Sequence, residues 1–231
     1  MAQKLDRAQV VDTALRLLDE VGLEGLTLRR IAAELDCKAP ALYWHFANKQ
    51  ALLDELATEM IRRMIAGSEP PTADTPWQRQ LALTCRTLRR TLLGHRDGAK
   101  VFSGTRLTDT GHTDRFEGQL GSFVRAGFTL PEAVEAYFTA YSFTVGFVIE
   151  EQAVHPLPGE RAPGYDPAER AERIGPERPL TAAASTDLFT DYERRFERGL
   201  AIVTAGIEAL HAEASHAEAP PAEAPPADRT R

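Results

Sequence analysis

The chain has 231 residues, 43% of them hydrophobic and 26% charged, with a formal net charge of -7. That length allows one large domain or two modest ones around an apolar core, and the acidic balance argues against indiscriminate binding of polyanions. No apolar run approaches the roughly 20 residues of a bilayer span, Lys4, Asp6 and Arg7 interrupt any leader-like stretch, and two isolated cysteines, Cys37 and Cys85, argue against a disulfide scaffold or a zinc site. The expectation is a cytoplasmic, all-α protein without membrane association.

Taken in chain order, apolar residues recur at helical spacing and no period-two strand interrupts them. Asp6 with Gln9 reads as a capping box opening a first helix that buries Val10, Ala14, Leu17, Leu18 and Val21 and stops at Gly22. Thr27 caps a short second helix with Leu28, Ile31, Ala32 and Leu35 inward. Asp36, Cys37 and Lys38 leave room for a tight turn before Pro40, which suits the first turn of a third helix. Asn48 caps a longer helix carrying Leu52, Leu56, Met60 and Met64, with a reach of about 28 Å. Thr75 and Pro76 start the next (Trp77, Leu81, Leu88, Leu92), and GAKVFSGTR forms a short helix and turn with Gly98 and Gly104 as hinges. Phe116, Leu120, Phe123 and Val124 mark a further helix. Thr129 and Glu132 cap a long one bearing Val134, Phe138, Tyr141, Val145 and Val148, apolar on more than one side. Residues 155–181 hold six prolines and three glycines and read as a long mobile connection with one helical turn. A last amphipathic helix presents Phe189, Tyr192, Phe196, Leu200, Val203, Ile207 and Leu210, before a tail too poor in apolar residues to fold.

Three small helices with a tight turn between the second and third are the sequence form of a helix-turn-helix. Between Thr27 and Lys49 the charge is locally reversed: Arg29, Arg30, Lys38 and Lys49 face only Glu34 and Asp36. On the third helix Leu42 and Phe46 lie one turn apart and point inward, which leaves Lys38, Ala39, Pro40, Ala41 and Tyr43 for a major groove. Arg29 has the bidentate fork that reads guanine. Tyr43 and His45 suit the DNA backbone, and Lys49 and the helix terminus suit phosphates. Trp44 reads as a packing residue. Glu151 and His155 lie four apart, a spacing too sparse for a metal site.

TLRRIAAELDCKAPALYWHFANKQALLDELA resembles the DNA-binding segment of the tetracycline-repressor (TetR) family, whose LYxHFxNKxxLL pattern it carries in order. HRDGAKVFSGTR, followed by GQLGSFVRAGFTLPEAV and TVGFVIEEQ, is similar to the regulatory domain of that family's tetracycline-responsive branch. The resemblance covers residues 5–153 and thins to the last helix beyond. It implies an N-terminal three-helix head (1–47) and an α-helical ligand-binding and dimerisation domain (48–211), to which composition adds a disordered tail (212–231). It also implies a homodimer, built on the eighth and last helices, that binds palindromic double-stranded operator DNA and a small-molecule effector. By position, Thr27, Arg29, Lys38, Ala39, Pro40, Ala41, Tyr43, His45 and Lys49 fall where the family touches DNA.

The same resemblance implies an effector site of Ile65, Thr84, Leu88, Phe102, Thr105, Arg106, Gln119, Val134, Tyr137, Ser142 and Glu150. Where the tetracycline-responsive branch places a magnesium-binding histidine, this chain has Phe102, which has no donor atom for the ion. The expectation is a ligand-responsive repressor released by a hydrophobic, antibiotic-like effector, with no metal and no cofactor. An activator of the same fold, and a small-molecule-binding enzyme or sequestering protein, are the alternatives. No HExxH, GxSxG, phosphate loop or dinucleotide fingerprint is present, so no catalytic residues are assigned.

Overall fold

In the computed structural model, residues 6–72 and 74–218 are described. They form eleven helices: α1 (Arg7–Gly25), α2 (Leu28–Glu34), α3 (Ala39–Tyr43), α4 (Lys49–Ala66), α5 (Trp77–Leu93), α6 (Gly98–Phe102), α7 (Thr113–Arg125), α8 (Leu130–Val154), α9 (Pro167–Ile174), α10 (Pro179–Phe189) and α11 (Tyr192–Glu218). The all-α expectation holds, and most caps are those the sequence announces. Thr27 accepts from Arg30 N, Asn48 accepts from Ala51 N, and Thr129 with Glu132 forms a full capping box. Gly22 does not end α1 but kinks it at φ 71, a conformation that favours glycine.

Residues 155–181 differ most from expectation. Instead of one long connection they carry α9 and the start of α10, which pack on each other. The prolines do not prevent this because Pro167 and Pro179 occupy first-turn positions, where no N–H is needed, and Asp166 caps α9 through Ala168 N and Glu169 N. Tyr165 meets Phe189 edge to face at 5.5 Å, and the Arg170 guanidinium lies over Phe189 at 5.2 Å. Phe189 therefore closes α10 rather than opening the last helix. Asp191, at φ 49, breaks the chain before α11. At its far end α11 runs on to Glu218, past the expected boundary at 211, and the rest of the expected tail lies outside the described residues.

Two apolar clusters hold the chain together. The first joins Leu18, Ile31 and Leu42 of α1, α2 and α3, and Phe46 just past α3, to Leu56 and Met60 of α4, Leu88 and Leu92 of α5, Phe102 of α6, and Val145 and Val148 of α8. Head and body thus share one core across the expected boundary at residue 47. The second gathers Trp77, Leu81, Phe123, Phe128, Ala133, Ala140, Phe196 and Leu200 from α5, α7, α8 and α11. Trp77, Phe123 and Phe128 touch one another with centroids 4.9 to 5.3 Å apart.

Gly98 has a packing role, not the hinge role expected of it. A Cβ there would lie 2.2 Å from the Leu92 carbonyl oxygen, so the α5–α6 corner closes only around glycine. Gly98→Ala is expected to cost about 1–3 kcal/mol, as overpacking usually does, read as a lower melting temperature. Gly104 sits at φ 74, a conformation that favours glycine, and an added Cβ there would meet nothing within 4 Å.

Candidate DNA-reading head and effector site

In the head, Leu42 and Phe46 are fully buried as their spacing requires, which fixes the roll of α3. Thr27, Arg29, Lys38, Pro40, Tyr43 and Lys49 are exposed, while Ala39, Ala41 and His45 are half-buried. Among the described residues the side chains of Arg29, Lys38 and Tyr43 make no hydrogen bond or ion pair, so they are free for an external partner. Lys49 is already engaged: its Nζ donates to the Leu23 carbonyl at 2.8 Å, tying α4 to the end of α1. Trp44 is 91% exposed, which corrects the expectation that it packs. Two positions at about 100° each place it opposite Leu42, and three short helices have no interior left for it. Its indole extends the surface formed by Tyr43.

Behind this surface sits a buried carboxylate that the sequence does not advertise. Glu55 on α4 accepts from Arg7 Nη2 at 2.5 Å, Arg62 Nη1 at 3.0 Å and Thr108 Oγ1 at 3.0 Å. Burial pushes its pKa up, but the hydrogen bonds from Arg7, Thr108 and Arg62 outweigh that and hold it below the ordinary value. A lowered folded pKa contributes stability that is complete above the unfolded carboxylate value, about 4.3, and is lost as pH falls through the folded value. Glu55→Gln is therefore expected to flatten the fall in melting temperature below about pH 4.5.

On the effector side, aromatic rings from three helices form a continuous chain. Phe116 of α7 meets Tyr137 at 5.0 Å, Tyr137 meets Tyr141 on α8 at 6.3 Å, and Tyr141 meets Phe102 of α6 at 6.1 Å. Burial pushes the Tyr137 phenol up to about 12, so it stays a neutral hydrogen-bond donor. Thr84 of α5 donates to Gln119 Oε1 of α7 at 3.1 Å, while Gln119 Nε2, buried, has no partner. Leu88 and Phe102 are core residues, and Ile65 packs against the same cluster. Val134 is half-buried. Arg106, Ser142 and Glu150 are exposed, and no contact joins their side chains to the rings. Two open cavities, of about 660 and 380 Å³, lie elsewhere, between α1 and α4 and between α5 and α11.

A magnesium ion requires oxygen or comparable hard ligands, and Phe102 offers only a phenyl ring. Thr105, whose hydroxyl donates to the Phe102 carbonyl at 2.8 Å, keeps its oxygen lone pairs, so the missing direct ligand is the one at position 102. Nor do Glu151 and His155 form a metal pair. Glu151 is buried against Arg89 in a bidentate pair with both contacts at 2.8 Å, and His155 Nδ1 lies 2.9 Å from the Glu160 carbonyl.

This arrangement of head and body is matched by known proteins. Residues 10–56 match the model of bacterial regulatory proteins of the tetR family, and residues 69–211 match that of the tetracyclin repressor-like C-terminal domain. The chain belongs to the TetR family. It is 41% identical over 206 residues to the class A tetracycline repressor protein from transposon 1721 of Escherichia coli, covering 88% of this chain and 91% of that one. A possible TetR family transcriptional regulator from Streptomyces coelicolor A3(2) superposes with a TM-score of 0.77 at 40% identity, covering 89% of this chain and all of that one. A single-substitution variant of TetR from Acinetobacter baumannii AYE, solved in complex with minocycline, gives 0.67 at 33% identity over 90% of this chain and 98% of that one. As a TetR-family protein the chain is a ligand-responsive transcriptional repressor. No described helix is long and apolar enough to cross a membrane.

Proposed function

We propose that the protein acts as a homodimer on a palindromic operator, which it releases when a polycyclic, largely apolar effector binds without a metal ion. The observation that carries the DNA reading is the exposed, unpartnered set of Arg29 on α2, Lys38 at the N-cap of α3 and Tyr43 at its end, beside Trp44, with α3 held in its roll by buried Leu42. Thr27, Ala39, Pro40, Ala41, His45 and Lys49 complete the surface, the last by exchanging the Leu23 carbonyl for a phosphate. Lys38 and Ala39 sit where bases are read and point to an operator of this protein's own.

Dimer formation is supported by outward faces of small and apolar residues on two helices. α8 exposes Ser142 and Gly146, and α11 exposes Ala201, Ile202, Ala205, Gly206 and Ala209. A Cβ at Gly146 or Gly206 meets nothing within 4 Å. Such faces allow close helix approach across a two-fold axis, and reading successive major grooves requires the two heads to lie about 34 Å apart, one turn of DNA. Residues 1–47 serve as head and 48–211 as the effector-binding and dimerisation body, and no enzymatic step is assigned to either.

The unpartnered Gln119 amide and the neutral Tyr137 phenol are donors suited to a carbonyl-rich ring system, with the Phe116 to Phe102 rings as its stacking wall. Effector binding then favours the form whose head spacing does not fit DNA, by no more than its differential affinity for the two forms. The relative bound to minocycline makes that compound a reasonable probe. Its affinity for this protein is expected to be equal with magnesium and with excess chelator, measured by intrinsic fluorescence. A strong magnesium requirement would mean that the ion is held at this site without a ligand at position 102.

A further inference from the structure

We propose that Glu55 is the positioning residue through which the loop after α6 and the recognition helix sense each other. The contacts run unbroken from one to the other. Arg7 donates through Nη1 to the His45 carbonyl, just past the end of α3, at 2.8 Å and through Nη2 to Glu55 at 2.5 Å. The same carboxylate oxygen accepts the Thr108 hydroxyl at 3.0 Å. Its other oxygen accepts Arg62 Nη1 at 3.0 Å, and Arg62 Nε donates to Asp109 at 2.8 Å. The loop is further fixed to α4 by Thr108 N on the Thr58 hydroxyl and Arg106 N on Asp54.

Three properties make this more than a structural ion pair. Glu55 is only 5% exposed, so its carboxylate is shielded from water and cannot change one partner without affecting the others. The network spans four elements, α1, the end of α3, α4 and the loop that carries Thr105 and Arg106. It also borders the cavity of about 660 Å³ between α1 and α4, which leaves room for the arginines to move. The other flank of α6 is tied to α1, by Asp19 to His95 and Arg96 and by Asp97 to Leu23 N, and to α8 and the loop after it, by Gln152 to the His95 carbonyl and Ala99 N and by Glu160 to Arg96; the Leu23 carbonyl leads on to Lys49 at the start of α4, but none of these bonds reaches α3. Movement at residues 106–109 is thus passed to the His45 carbonyl by way of Glu55 and Arg7.

Coupling is reciprocal, so it can be measured from the DNA side without any effector. The inference rests on the operator reading above, and the experiment separates the two. Amide hydrogen exchange is followed in the full chain, free and saturated with a duplex selected by this protein from a random pool. Duplex binding is expected to slow exchange at residues 106–109 by about fivefold or more, the low end of allosteric coupling, as well as protecting α3. In Glu55→Gln the protection of α3 should remain and the slowing at 106–109 should disappear. A purely structural role would raise exchange in both states and leave the DNA-dependent ratio unchanged. Should Glu55→Gln not fold, Thr108→Val, on the exposed loop, must show the same loss. The inference is overturned if α3 is protected while the loop is not slowed in the natural chain, or if the slowing survives the substitution. Failure of any duplex to protect α3 would overturn the operator reading and this inference with it.

Discussion

Glu151→Ala is expected to destabilise the protein by about 3–5 kcal/mol, the cost of leaving a buried charge without its partner. Arg89 and Glu151 are both less than a tenth exposed and bridge α5 and α8, the two helices that belong to both apolar clusters. Arg89 also pairs with Glu193 and lies over the Phe196 ring at 4.8 Å, so the pair ties α11 to the same point. Burial acts to lower the Arg89 pKa, but its bonds to Glu151 and Glu193 prevail and keep it raised. Without Glu151 the guanidinium keeps only Glu193, which is open to solvent and offers a screened, weaker partner. For a chain of this size that loss corresponds to a fall in melting temperature of about 6–20 °C. Replacing both partners with apolar residues, Arg89→Met with Glu151→Leu, should recover most of it. A loss below about 1 kcal/mol in Glu151→Ala would mean that the pair is hydrated in solution.

The second large effect concerns DNA. Arg29→Ala is expected to weaken binding to the selected operator by about 1–3 kcal/mol, roughly five- to 150-fold, and to relax preference at one base pair, because on the proposed reading the exposed Arg29 fork meets a guanine edge. Lys49→Ala should behave differently. On the proposed reading it would remove a phosphate contact, so binding should weaken evenly across sequences and the slope of log affinity against log salt should fall by about one. Fluorescence anisotropy over a salt series separates the two. An even loss in Arg29→Ala would move it from base reading to backbone contact.

How much of the fold and site is legible in the sequence depends on how local the determinant is. Caps and inward pairs are local, so Thr27, Asn48, Thr129 with Glu132, and Leu42 with Phe46 can be read directly. The 155–181 stretch misleads because proline and glycine content alone does not say where in a helix each proline falls. Pro167 after Asp166 is the available signal for α9. Trp44 can be placed outward by counting the angle from Leu42. Glu55 cannot be found this way: its partners Arg7 and Thr108 are 48 and 53 residues away, and only folding brings them together. Effector-site residues follow from position alone, and the structure gathers Thr84 with Gln119 and Phe102 with Tyr137 through Tyr141, while Arg106, Ser142 and Glu150 stay apart at the surface.

On the proposed reading, the face formed by Arg29, Lys38, Tyr43 and Trp44 reads an operator from two heads one DNA turn apart. Selection of duplexes from a random pool by the natural chain, with Tyr43→Ala as its partner experiment, tests it most directly. The expected result is an inverted repeat whose half-sites are centred about 34 Å apart, bound by the natural chain and lost from Tyr43→Ala while minocycline titration is unchanged. Recovery of no sequence preference, or equal retention by Tyr43→Ala, would contradict it.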